Sequence, residues 1–288
     1  MQRSPFALPI RLPAMAAAFL LFFPVLLARA QNPPGVAAPT LKDSLMARAE
    51  MLYDSTTKSG LHAFDCQVHP DWNTIMTSSR QGAPLPADDP RLPLLSGVKI
   101  TLHARLDGSS TLEWQPPANP LDPEARATLE TAHRGIEQTL LGVLKLWAPL
   151  VNGSIPESFG EDDLDLAQIE NGYTLRSKDK QHSLTEQFDR DLTLKQFITT
   201  ESGSTIDIAP VFESTGLGLQ LSGFTARIQA AGTSPQAAQQ MRVDLEYKAG
   251  VNPTSAASGI PAKLAIEISK VVQMNFALDA CIANPPSN

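Results

Sequence analysis

Cys66 and Cys281 are the two cysteines of this 288-residue chain, and their pairing is the first chemistry its residue types suggest. One lies in the first stretch that reads as a strand, the other in the last. In an oxidising compartment an even pair so placed is expected to form a disulfide; two buried free thiols are the alternative. One detail opposes pairing. Met274, Phe276, Leu278 and Ala280 share a face of the last strand, which puts Cys281 on the other, whereas Cys66 lies with the apolar residues of its own strand. A bulge would reconcile the two. Two cysteines cannot build a zinc site unaided, and His62, His69, His103, His133 and His182 show no metal-ligand spacing. The acidic run Glu161-Asp162-Asp163, with Asp165, lacks the alternating Asp/Asn-Gly loop of a calcium cage. It reads as a solvated charge cluster. S-x-x-K occurs at Ser55-Lys58 and Ser177-Lys180, without the S-D-N and K-T-G companions of acylating enzymes. The sequence contains no G-x-S-x-G, H-E-x-x-H, P-loop or G-x-G-x-x-G. No catalytic residue, metal or cofactor is assigned. Paired carboxylates for glycoside hydrolysis, distant in sequence, are left open, as is a Ser and a His converging in a cleft.

The compartment is argued from the first thirty residues. Arg3 and Arg11 give a positive start, Met15 to Ala30 is an apolar run broken by Pro24, and Ala28-Arg29-Ala30 is an A-x-A cleavage pattern. Residues 1–30 are therefore expected to be a signal peptide, without the Arg-Arg pair of twin-Arg export. Residues 31–39 are expected to be a flexible mature N-terminus. The product is expected in the periplasm or secreted, with no lipoprotein anchor because no cysteine follows the cleavage pattern. The formal net charge is −7. An acidic balance argues against nucleic acid and anionic lipid headgroups as partners. No second apolar run approaches the ~20 residues of a membrane helix, so the chain is not expected to span a membrane.

The elements that must position these residues follow from periodicity. Thr40 with Asp43 forms a capping-box-like start, and Leu41, Leu45, Ala49, Leu52 and Tyr53 recur at helical spacing, so a helix is predicted from about 41 to 58. LHAFDCQVH alternates as a strand. Residues 70–96, rich in Pro, Asp and Ser, read as a long loop with a short helical turn near Trp72. VKITLHARL, 98–106, alternates cleanly and STLEW, 110–114, returns from a turn at Asp107-Gly108, a hairpin. His103 falls on its polar face and reads as solvated. Asp122 as N-cap, Pro123 at the first position and Glu124 start a second helix, predicted over about 122–149 and ended by Pro149. Ala125, Leu129, Ala132, Ile136, Leu140, Val143 and Trp147 form its apolar stripe, widened by Leu141 and Leu144. From 164 onward nearly everything reads as β, with Asn171-Gly172 the strongest turn. Short turns between successive strands imply an antiparallel meander. The predicted class is α+β and β-rich: a curved antiparallel sheet or incomplete β-barrel with an N-terminal helix and an inserted lid helix. The domain is expected over 40–282, with 283–288 a tail.

This order of elements resembles the outer-membrane lipoprotein carrier group, the LolA/LolB-like fold. The stretch LEYKAGVNPTSAASGIPAKLAIEI is similar to a late pattern of those proteins: a strand with Tyr247, a turn, then Pro261 and the strand 263–269. The resemblance implies an incomplete barrel around a hydrophobic cavity with helices as its lid, and hence binding of an acyl lipid, a lipoprotein or another apolar ligand. Candidate lining residues are Val98, Ile100, Leu102, Leu112 and Trp114 from the hairpin, with Leu140, Leu144 and Trp147 from the lid. The same residues would also suit a dry core. The alternative reading is a non-catalytic envelope scaffold or protein-interaction module without a small ligand, and a secreted hydrolase is a third.

Overall fold

The computed structural model describes residues 40–79, 83, 85, 86, 88–118, 121–152, 155, 158–177, 182–248 and 255–285. The expected signal peptide, the expected flexible stretch 31–39, Lys180 of the second S-x-x-K and the tail beyond 285 lie outside them. In chain order the elements are α1 (Leu41–Leu52), α2 (Thr56–Ser59), β1 (Ala63–Pro70), α3 (Trp72–Ser79), α4 (Arg91–Ser96), β2 (Lys99–Arg105), β3 (Thr111–Gln115) and α5 (Pro123–Val151). Then come β4 (Leu164–Ile169), β5 (Gly172–Ser177), β6 (His182–Asp189), β7 (Leu194–Glu201), β8 (Ser204–Thr215), β9 (Gly218–Gln229), β10 (Gln239–Tyr247), β11 (Pro261–Ile268) and β12 (Val272–Ala283).

The twelve strands form one curved, unclosed antiparallel sheet in the order β3-β2-β1-β12-β11-β10-β9-β8-β7-β6-β5-β4. Neighbouring strands are consecutive along the chain except where β1 meets β12, so the two ends of the sheet-forming chain pair in mid-sheet. The free edges are β3 and β4. They are also consecutive strands in sequence, and the connection between them is α5.

Local chemistry sets the helix starts. The Thr40 hydroxyl accepts from the Asp43 N–H at 3.1 Å, and the Asp43 carboxylate accepts from the Thr40 N–H at 2.9 Å, a reciprocal cap for α1. The Thr40 hydroxyl, which also donates to the Asp43 carboxylate at 2.7 Å, and the Thr40 N–H hold that carboxyl below its usual range. The predicted 41–58 helix is interrupted, however. α1 stops at Leu52, because Tyr53 turns to extended backbone and bridges Leu219, and Asp54 donates its N–H to the Leu219 carbonyl at 2.9 Å. Asp122 caps α5 by accepting the Ala125 N–H at 2.7 Å. The helix then runs through Pro149 instead of ending there. Pro149 sits in the last turn, where few bonds remain to be lost, and that turn still closes by Asn152 N–H to Ala148 C=O at 3.0 Å. Part of the expected 70–96 loop is helical too: Asp71 accepts the Thr74 N–H at 3.1 Å and starts α3, and α4 follows.

Alternation in the strands builds one continuous apolar face. Phe64, Cys66 and Val68 of β1, Ile100, Leu102 and Ala104 of β2, Val243 and Leu245 of β10, and Leu264 and Ile266 of β11 are all buried there. α5 lies on this inner face, with Leu129, Ile136, Leu140, Val143, Leu144 and Trp147 buried in the same core. Each such side chain contributes about 1.5–3 kcal/mol by leaving water, against the entropy of ordering it.

The disulfide Cys66–Cys281 is present, with sulfurs 2.04 Å apart. The face conflict is resolved by a bulge. The ladder steps from Asp65↔Ile282 to Gln67↔Asp279, so three residues of β12 are spent against two of β1, and Ala280 adopts φ +46°. The extra residue turns Cys281 toward Cys66.

Candidate functional site

All eight expected lining residues meet in a single apolar core beneath α5. Ile100, Leu102, Leu140, Leu144 and Trp147 are fully buried; Val98, Leu112 and Trp114 pack against them half-buried. The helix is held at two ends. Toward its N-terminal half, His133 stacks on Trp114 of β3 at 4.9 Å between ring centroids, and Trp114 in turn meets Trp72 of α3 edge-on at 6.3 Å. Toward its C-terminus, Trp147 meets Phe64 of β1 edge-on at 6.1 Å. The Thr56 hydroxyl donates to the Val151 carbonyl at 2.6 Å. The Trp147 indole N–H is buried without a well-formed hydrogen bond. Beside it, burial pushes the Tyr247 hydroxyl pKa up, so this tyrosine stays a neutral hydrogen-bonding group.

Two adjoining crevices open beside the C-terminal end of α5. One is lined by Asp54, Ser55, Thr56, Tyr247 and Ser258 among others, the second by Tyr53, Ser55, Ile155, Phe212 and Leu221 among others. Each has a volume of about 10 Å³, at the limit for a single water. Burial raises the Asp54 carboxyl, opposed by the Lys58 charge. Neither crevice brings a histidine or a second carboxylate to it. The Ser55-Lys58 motif is structural here. Lys58 donates its backbone N–H to the Ser55 hydroxyl at 3.4 Å, and its ammonium donates to the Tyr53 carbonyl.

Tyr53 ties the end of α1 to the β6–β7 turn. Its hydroxyl donates to the Leu192 carbonyl at 2.7 Å and accepts from the Leu194 N–H at 2.7 Å. Leu192 is buried with φ +67°, a left-handed backbone that a leucine holds only when surroundings impose it. Burial also pushes the Tyr53 pKa up.

The residue that sequence reasoning missed is Glu186. It is 2% exposed, on the inner face of β6. Ser158 lies 3.4 Å from its Oε1, and its Oε2 has no hydrogen-bond partner. Burial pushes its pKa up to about 8, with a further push from Glu161. A signal was available: Leu184, Glu186 and Phe188 alternate on one face, which places a carboxylate at an apolar position.

Outside the core, His103 is engaged rather than simply solvated. Its Nδ1 is 3.1 Å from Asp65, which also pairs with Arg105 at 3.1 Å. Glu161, Asp162, Asp163 and Asp165 are exposed. Among the described residues no cluster of three His, Cys, Asp or Glu is arranged to hold a metal ion, and no helix is long and apolar enough to cross a membrane. No protein-family model, curated protein or solved structure matches this chain, so the site is read from its own chemistry.

Proposed function

We propose that this protein is an exported carrier or sensor that holds an acyl lipid, a lipoprotein acyl group or another apolar ligand on the inner face of its half-barrel, with α5 as the lid. The observation that carries the reading is the place of α5 in the chain. It joins β3 to β4, the two free edges, and covers the apolar face between them. Lifting it breaks no strand pair, so the sheet survives opening while a long apolar surface is uncovered. The face is filled in the closed form, and a ligand therefore enters by displacing the helix. The exchange is energetically balanced in outline. Shielding one acyl chain at ~25 cal/mol/Å² is worth several kcal/mol before ordering costs, the same order as reseating a few helix side chains. The buried Trp147 N–H and Tyr247 hydroxyl would offer polar contacts near the C-terminal end of α5. The LolA/LolB-like resemblance points the same way.

The test is native mass spectrometry of the protein purified from the cell envelope, with lipid analysis of what it releases, and titration with a fluorescent fatty acid. Near-stoichiometric acyl lipid and uptake of the probe are expected. Trp147→Glu should abolish retention with the β circular dichroism intact. A clean apo mass with no uptake overturns the reading.

A second reading is favoured by the filling itself. Leu140 and Val143 are 0% exposed, as in an ordinary core. In that case the protein is an envelope scaffold or protein-interaction module, and partners docking along the unpaired edges β3 and β4 should crosslink there.

A further inference from the structure

On the connection from α5 to β4, at Ser158 and Phe159, the chain is pinned to β6 at two points. Phe159 is fully buried and its ring lies 4.8 Å from that of Phe188. One inward position earlier on the same strand, Glu186 meets Ser158. This carboxyl is sealed from solvent, with one oxygen near a hydroxyl and the other without a partner. Among the described residues the neighbours give an anion no countercharge. Opposite it on β5 and β7 are Leu175 and Phe197, which are apolar. From the 158–161 side Glu161 repels it, and the ammonium of Lys42 is directed to the Glu161 carbonyl. From the end of α1 comes the neutral Tyr53 hydroxyl. A neutral carboxyl fits this place. A carboxylate would sit in an apolar wall beside another negative charge, at a cost the surroundings do not offset.

We propose that Glu186 is a protonation-controlled catch: its neutral carboxyl, closed against Ser158, holds the exit of α5 on the sheet, and loss of the proton releases it. The proposal rests on the reading of α5 as a lid and states what regulates it.

The sign follows from linkage. With the catch closed the group titrates at about 8, and once exposed it returns to its ordinary 4.5. Below 4.5 the carboxyl is neutral in both forms and closure is fully retained. Between 4.5 and 8 each opening releases a proton, so closure weakens as pH rises, and above 8 it weakens no further. The opening constant should therefore rise about tenfold per pH unit across that window and then level off.

Hydrogen exchange on the purified full chain reads this directly. The amides of Leu150, Val151 and Phe159 are followed from pH 4.5 to 9, corrected for the intrinsic pH dependence of exchange, with amides of β9–β11 as the internal reference. The expected result is the tenfold-per-unit rise in wild type and a flat profile in Glu186→Gln, which keeps the shape of the group without its titration. A flat wild-type profile overturns the catch, and so does a slope that survives in Glu186→Gln or is shared by β9–β11. Uptake of the fluorescent fatty acid at pH 5 and pH 8 is recorded on the same samples. A slope without uptake at either pH overturns the ligand reading and leaves the catch standing; uptake without a slope overturns the catch and leaves the ligand reading standing.

Discussion

Removing the disulfide should destabilise this fold far more than a typical core substitution. Cys66 and Cys281 close a loop with a sequence separation of 215 residues. In the chain-entropy description a loop of that length restricts the unfolded chain by about 5 kcal/mol at 25 °C. Its position adds to the expectation. The leaf β3-β2-β1 joins the rest of the sheet through β1·β12 alone, and that ladder is interrupted between Asp65 and Gln67, where the disulfide crosses. Without the bond, the register of the bulge is held only by the flanking pairs. The perturbation is Cys66→Ala with Cys281→Ala, which leaves no reactive thiol. The assay is urea unfolding followed by circular dichroism, beside the oxidised wild type. With m near 3 kcal/mol/M for a domain of this size, 5 kcal/mol corresponds to a fall in midpoint of roughly 1.5–2 M. The slope m should rise, because the unlinked unfolded chain exposes more surface. A midpoint within about 0.3 M of wild type, with m unchanged, would refute the reasoning. It would mean that the ends of the unfolded chain are already held together, or that strain in the bulge offsets the gain.

Two further outcomes follow from the contacts around the end of α1. Tyr53→Phe removes one acceptor and one donor from the Leu192–Leu194 turn and leaves a buried carbonyl and N–H unpaired, so a loss of about 2–3 kcal/mol is expected, read as a lower Tm. Gly218→Ala should cost more than about 2 kcal/mol, since φ there is +133° and a Cβ would lie 2.4 Å from the Leu52 carbonyl oxygen. Gly216→Ala, where nothing lies within 4 Å, is the near-neutral control in the same urea melts.

Much of the frame was legible because it is local. Period-two alternation over 98–106 predicted Lys99–Arg105 with Ile100, Leu102 and Ala104 inward, and that is how β2 sits. Asp122-Pro123 located the start of α5, since an N-cap bond spans three residues and depends on nothing distant. Asn171-Gly172 turns between β4 and β5, and Gly172 approaches the β6 backbone so closely that a Cβ would meet the Phe188 carbonyl at 1.9 Å. Errors arose where a distant strand intervened. α1 ends at Leu52 because Tyr53 pairs with Leu219, a partner helical spacing does not reveal.

The sequence by itself determined most of the elements, their antiparallel succession and the two cysteines available for pairing. These follow from periodicity, capping residues and turn residues, which act within a few positions of one another. The tertiary structure alone decided that β1 lies beside β12, that a bulge at Ala280 brings Cys281 round to Cys66, and that α5 links the two free edges across the apolar face. It also decided that Glu186, one carboxylate among many polar strand residues, is sealed under the exit of that helix. Strand order and what covers a given position depend on what arrives from elsewhere in the chain, and local alternation, which marks a face as apolar, does not name the element that seals it.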